Sequence, residues 1–178
     1  MSSRVLCNEQ IILRAPEPED LEVMYLMENL PELWLVSDIT VPYSRYVLRN
    51  YLENCRNDIY ADRELRLMIQ LADTGEVAGT IDLIDFSPLH GRAEVGIAIL
   101  EKYRRKGYAK EALELLCTYA FRQLHLHQVY AYVSADNTIS LSLFTACGFS
   151  EKARLRQWLR KENGYSDVFL MQKITSFF

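Results

Sequence analysis

The chain has 178 residues, 49% of them apolar and 25% charged, with seven Gly and five Pro; this suits one globular domain over 1–178 and excludes a disordered or fibrous polymer. A formal net charge of −4 argues against a nucleic-acid-binding surface, and no apolar run is long enough to cross a bilayer as a helix. Cys7, Cys55, Cys117 and Cys147 form no CxxC pair and Met1–Gln10 lacks the apolar core of a signal peptide, so free thiols, no metal site and a cytoplasmic location are expected.

In chain order, QIILRA (10–15) reads as a strand, and PEDLEVMYLMEN (18–29) as a helix with Leu21, Met24 and Tyr25 at helical spacing. Ser44 can cap a second helix whose stripe is Leu48, Leu52, Cys55 and Ile59. From residue 65 the period falls to two: LRLMIQL, a turn at Asp73-Thr74-Gly75 and EVAGTIDLIDF predict a β-hairpin. After SPLHG (87–91), AEVGIAIL (93–100) alternates as a neighbouring strand. A long helix with Ala109, Ala112, Leu113, Leu116, Ala120 and Leu124 on one face then leads to the strand VYAYVS (129–134), and this order implies a parallel crossover. Asn137 opens another helix that Gly148 stops, and FSEKARLRQWL with YSDVFLMQKI closes the chain as a hairpin through Glu162-Asn163-Gly164. The predicted architecture is α/β of the α+β kind, a mixed, mostly antiparallel sheet of about seven strands with helices on both faces.

The segment RRKGYA (104–109) concentrates charge where the long helix begins. A helix start carries unpaired N–H groups and a partial positive charge, so a turn that converges its amides there can hold phosphate oxygens, and Gly107 lets the backbone come close. The hexapeptide alone is also compatible with a solvated cationic loop. It has neither the GxxxxGK[ST] nor the GxGxxG spacing of two familiar phosphate loops.

It does match the (Q/R)xxGx(G/A) loop of the GCN5-related N-acetyltransferases, read here as Arg104, Gly107 and Ala109. IILRAPEPEDL, AEVGIAILEKYRRKGYAKEAL and NTISLSLFTACGF extend the resemblance over nearly the whole chain. Within the superfamily the chain resembles the branch holding spermidine/diamine N-acetyltransferases and the N-terminal acetyltransferases of ribosomal proteins. The resemblance implies acetyl-CoA as donor. Ile97, Ala98 and Ile99 match the strand that pairs with the pantetheine arm and polarises the thioester carbonyl, while Arg104, Arg105, Lys106, Gly107, Tyr108, Ala109 and Lys110 match the pyrophosphate cradle. Asn137 matches an asparagine that bonds the pantetheine and Ser140 a small residue that lets the cofactor pass, although Asn137 reads equally well as a helix cap.

Amide formation needs a neutral amine, and an alkylammonium of pKa ~10 is almost wholly protonated at neutral pH. Glu94, on the strand face shared with Gly96 and Ala98, is the leading candidate for the base; binding a cationic substrate or forming a structural ion pair are its other readings. Asp82 and Asp85 lie on the preceding strand. Seven residues after the motif asparagine, where the family commonly carries a tyrosine acid for the thiolate, stands Phe144, and no tyrosine lies between Asn137 and Gly148. Glu28, Asp85 and Glu94 stand at or near places that receive the cationic substrate in polyamine enzymes, with Asp38 close by, whereas Thr40 and Val41 stand where the spermidine enzymes tend to be acidic. The expected activity is acetylation of a small polyamine or diamine; the alternatives are a protein N-terminus as acceptor, or a non-catalytic acyl-CoA-binding module on account of Phe144. A homo-oligomer, with no nucleic acid or membrane as partner, completes the expectation.

Overall fold

The computed structural model describes residues 5–34 and 39–176. Asp38 lies outside them. Seven strands, β1 (Ile11–Arg14), β2 (Leu65–Leu71), β3 (Val77–Ser87), β4 (Arg92–Ile99), β5 (Gln128–Ser134), β6 (Ser150–Lys161) and β7 (Gly164–Ile174), form one sheet. Their order is β1-β2-β3-β4-β5-β7-β6, and every neighbouring pair is antiparallel except β4 and β5. The helices are α1 (Leu21–Glu28), α2 (Pro31–Trp34), α3 (Arg45–Asn54), α4 (Ile59–Asp62), α5 (Tyr108–Arg122) and α6 (Thr138–Ala146), and α5 is the crossover between the parallel strands.

Alternation along β2 shows how the two faces are used. Leu67 and Ile69 point into a core with Leu113, Leu116 and Ala120 of α5, whereas Met68 points the other way and packs with Met24 of α1 and Leu48 of α3. At β2 the sheet is therefore covered on both faces, as its near-continuous apolar run requires, whereas the edge strand β6 is mostly exposed. No helix among the described residues is long and apolar enough to cross a membrane.

Two predicted helices change at their ends. The helix capped by Ser44, whose Oγ accepts the Val47 N–H at 3.2 Å, stops at Asn54 instead of running to Ile59, because Cys55 is extended and Asn57 is left-handed at φ 50°. Asp58 then caps α4 through the N–H groups of Tyr60 and Ala61, so Ile59 belongs to a separate turn. The segment 18–29 starts as a 3-10 turn over Pro18–Asp20 before α1 begins at Leu21.

Asp20, 5% exposed, holds that turn to β1: its carboxylate accepts from Arg14 at 2.7 and 2.8 Å and from the Glu17 N–H at 2.8 Å. Burial pushes its pKa up, but the Arg14 hydrogen bond and the Glu17 N–H outweigh it and hold the carboxyl below its ordinary value. A depressed folded-state pKa contributes stability that is present above the unfolded value near ~4 and is lost as pH falls through the folded one. Asp20→Asn is expected to lower unfolding free energy at pH 7 by about 1–3 kcal/mol, with the difference from wild type shrinking toward acid pH in denaturant titrations. A deficit independent of pH down to the acid transition would contradict this assignment.

Candidate active site

The parallel strands pair over only three positions, Arg92 with Gln128, Ala93 with Val129 and Glu94 with Tyr130. Beyond Glu94 the ladder ends although β4 runs on to Ile99 and β5 to Ser134, so the two strands open as a fork. On its other edge β4 stays paired with β3 all the way to Ile99. The segment Val95–Ile99 thus offers its fork-side backbone groups to an extended, amide-bearing ligand, as an exposed sheet edge does to a peptide. Glycine makes this strand path possible: a Cβ on Gly79, opposite Ile99, would stand 2.1 Å from the Ala98 carbonyl oxygen. Gly79 was not singled out from the sequence, although an isolated glycine inside a strand signals such a close approach.

The loop after β4 delivers the start of α5. Arg105 and Gly107 are left-handed, at φ 62° and 87°, and Gly107 is the N-cap, with no side chain capping the helix. Among the described residues, the N–H groups of Arg105, Lys106, Gly107, Tyr108 and Ala109 reach no backbone carbonyl, and a Cβ on Gly107 would meet nothing within 4 Å. An open helix N-terminus ringed by cations has the donor set a diphosphate needs. Arg104 differs from its neighbours: its Nε donates to the Ile99 carbonyl at 2.9 Å and its Nη2 to Glu32 of α2, so its side chain ties the end of β4 to the first helices. The Lys106 ammonium lies 5.6 Å from the centre of the Tyr103 ring, and Lys110 pairs with Glu114 at 3.8 Å.

On the far side of the fork, Asn137 caps α6, its Oδ1 accepting the Ser140 N–H at 3.1 Å. Phe144 is 3% exposed and packs edge-on against Phe149 with ring centres 4.9 Å apart. Restoring a hydroxyl there would place it in the core. Phe144→Tyr is expected to lower stability by about 1–3 kcal/mol and to leave turnover within about threefold of wild type. Thermal melting and initial rates check this, and a large activation would show instead that the hydroxyl reaches the leaving group.

The acidic candidates divide into two groups, each organised by a residue not singled out from the sequence. Glu28 and Asp82 converge on Arg66 of β2: Nε and Nη2 bind the two Asp82 oxygens at 3.0 Å each, and Nη1 donates to Glu28. Burial works against the Arg66 charge, but Asp82 and then Glu28 outweigh it and raise the guanidinium pKa. Asp82 pairs with Gly96 in the ladder, and a Cβ on Gly96 would lie 3.8 Å from Asp82 Oδ2, so the cluster adjoins the fork. In LRLMIQL, Arg66 occupies an ordinary polar position, and nothing in its spacing marks it as a clamp.

Asp85 sits where β3 slips register, at φ 48°, and its Oδ2 accepts the Tyr130 hydroxyl at 2.5 Å. Burial raises the Tyr130 pKa first, the Asp85 hydrogen bond adds to it, and the charge of Glu94 contributes as well. Since Glu94 is the ladder partner of Tyr130, the structure gathers Asp85, Tyr130 and Glu94 at the base of the fork. Ile84, the ladder partner of Glu94, lines a cavity of about 260 Å³ whose wall includes Glu28, Tyr43, Tyr51, Glu64, Arg66 and Asp82. A second cavity of about 290 Å³ shares Tyr51, Glu64, Leu65 and Arg66 with the first.

Comparison with known proteins agrees with this geometry. The family model of the acetyltransferase (GNAT) domain matches residues 10–150. The spermidine N(1)-acetyltransferase of Vibrio cholerae serotype O1 is 28% identical over 173 residues, 95% of either chain. YdaF of Bacillus subtilis, designated a candidate ribosomal N-acetyltransferase, is 27% identical over 165 residues, 90% of this chain and 89% of its own. A crystal structure of the Vibrio cholerae spermidine enzyme in complex with CoA and spermine superposes with a TM-score of 0.82 at 27% identity, over 95% of this chain and 98% of that one. A dodecameric structure of the same enzyme matches with a TM-score of 0.78 at 27% identity, over 94% of this chain and 95% of that one. An open helix N-terminus, a strand freed on one edge and a family match spanning both make this chain a member of the GNAT acetyltransferases, an acyltransferase whose acetyl donor is acetyl-CoA.

Proposed function

We propose that this enzyme acetylates a primary amine of a small polyamine or diamine such as spermidine. The observation that carries the reading is the charge of the cavity beside the fork. Glu28, Glu64 and Asp82 against Arg66 leave it at a net −2, with Asp85 and Glu94 nearby, and a cationic acceptor is drawn to such a wall. The spermidine enzyme that this chain resembles over its length supports the same acceptor class.

In this reading the amides at the start of α5 hold the diphosphate of the donor, and Arg105, Lys106 and Lys110 add screening charge around it. Val95–Ile99 receive the pantetheine arm along the fork, and an N–H of this segment polarises the thioester carbonyl. Acetyl-CoA supplies the activated acyl group. Glu94 takes a proton from the bound ammonium, directly or through one water, so that the neutral amine attacks the thioester carbonyl, and Tyr130 holds Asp85 beside it. On the opposite side Phe144 offers no proton. A thiol of pKa near ~8.5 leaves tolerably as its thiolate, so the chemistry proceeds without a side-chain acid.

A protein N-terminus is the second acceptor reading, favoured by the neighbouring cavity that prolongs the first toward α4. Release of free thiol, followed with acetyl-CoA and a panel of butylamine, 1,4-diaminobutane, spermidine and short peptides, separates the two. Spermidine and the diamine are expected to lead in kcat/KM. Turnover of peptides alone would overturn the polyamine reading. We further infer a cytoplasmic homo-oligomer; the exposed Trp158 on the edge strand β6 supports self-association.

A further inference from the structure

The wall of the acceptor cavity already contains a cation. Arg66 directs all three of its nitrogens at Glu28 and Asp82, with its side chain 25% exposed and theirs 15% and 17%. Two carboxylates disposed to bind cations, Asp82 beside Gly96 of the donor strand and Glu28 at the end of α1, are thereby satisfied from inside the protein. Glu64 lines the same cavity and, being exposed, meets solvent. We propose that Arg66 is a specificity-determining residue: it stands where an acceptor ammonium would otherwise bind between Glu28 and Asp82, and so reduces by one the number of ammonium groups the site takes.

This inference rests on the proposed amine acceptor and adds to it which carboxylates are free. The physical basis is the strength and directionality of the guanidinium's hydrogen bonds. A guanidinium bound to both oxygens of one carboxylate and to a second carboxylate outcompetes a mobile ammonium, because it is tethered and pays no entropy of association. Removing it leaves two partly buried carboxylates without their counter-charge, a strongly unfavourable arrangement that an external cation relieves. Specificity is then a difference between acceptors that carry such a cation and those that do not.

The test compares butylamine, 1,4-diaminobutane, spermidine and spermine as acceptors for wild type, Arg66→Met and Arg66→Lys. In Arg66→Met the kcat/KM ratio of spermidine to butylamine is expected to rise about tenfold or more, through a lower KM for spermidine, since a charge-assisted hydrogen bond has been freed for the substrate. Arg66→Lys, which keeps the charge but loses the two-oxygen grip on Asp82, is expected to give a smaller rise in this ratio than Arg66→Met, and a larger one would contradict the occupancy argument. An unchanged ratio in a folded Arg66→Met enzyme overturns the proposal. Should that variant fail to fold, Glu28→Gln/Arg66→Met, which restores the wild-type net charge while freeing Asp82, carries the same comparison, with a rise of about threefold expected and no rise overturning it.

A second readout does not depend on turnover. Ethylguanidinium is expected to raise the melting temperature of Arg66→Ala and not that of wild type; equal responses of the two proteins overturn the occupancy claim. Failure of the acceptor class shows differently: wild type would turn over none of the amines, whatever the melting data say.

Discussion

Glu94→Gln is expected to lower kcat by about 10²–10⁴-fold, the usual contribution of a positioned general base. The substitution is nearly isosteric, and Glu94 lies in the last β4–β5 pair before the fork, so the path of β4 and the affinity for CoA should be preserved. The deficit should shrink as pH rises toward the amine's own pKa of ~10, because free amine then enters the site already deprotonated. Rate–pH profiles with spermidine, alongside calorimetric titration of CoA, distinguish the roles that the sequence left open. A fall in kcat with unchanged KM identifies the base. A raised KM with near-normal kcat would assign Glu94 to substrate binding, and loss of stability with little change in either constant would make it a structural ion-pair partner.

The next largest effect is expected from the smallest substitution. Gly79→Ala would place a methyl group 2.1 Å from the Ala98 carbonyl oxygen and 3.0 Å from the Ile99 Cα, both of them backbone atoms. Neither can turn aside as a side chain would, so β4 must move away from β3 along the segment that forms one arm of the fork. Overpacking of this kind costs about 1–3 kcal/mol of stability. The displaced strand should also weaken CoA binding by about tenfold or more, because a bound-state hydrogen bond is sensitive to shifts of a few tenths of an ångström. Ala78→Gly, at the neighbouring buried position, is the control: it loosens packing without pushing β4 and should leave CoA affinity near wild type. Equal loss of affinity in both variants would refute the strand-displacement argument.

Much of the frame is legible in the sequence. Period-two alternation located β2 to β4, and the strand–helix–strand order around α5 fixed the one parallel pair, because these signals are local and survive tertiary packing. The helix break at Cys55 was not legible: the stripe from Leu48 to Ile59 keeps helical spacing, and only the competing cap at Asp58 and the left-handed Asn57 interrupt it. The open helix start at Gly107 could be anticipated from the hexapeptide, since it is built from consecutive backbone. The carboxylate clusters beside the fork could not. Arg66, Asp82 and Glu28 come from three separate elements, and Tyr130 meets Asp85 only because β3 slips register at that residue. Arg104 illustrates the same limit within a recognised motif, for its neighbours in the fold turn its side chain toward Ile99 and Glu32.

The proposed mechanism requires the donor to lie between the opened strands with its diphosphate at the start of α5. Amide hydrogen exchange resolved by residue, with and without saturating CoA, tests this most directly. Slowed exchange at Val95–Ile99 together with Arg105–Ala109 is the predicted result. Binding of CoA that leaves both segments unprotected, or no binding at all, would contradict it.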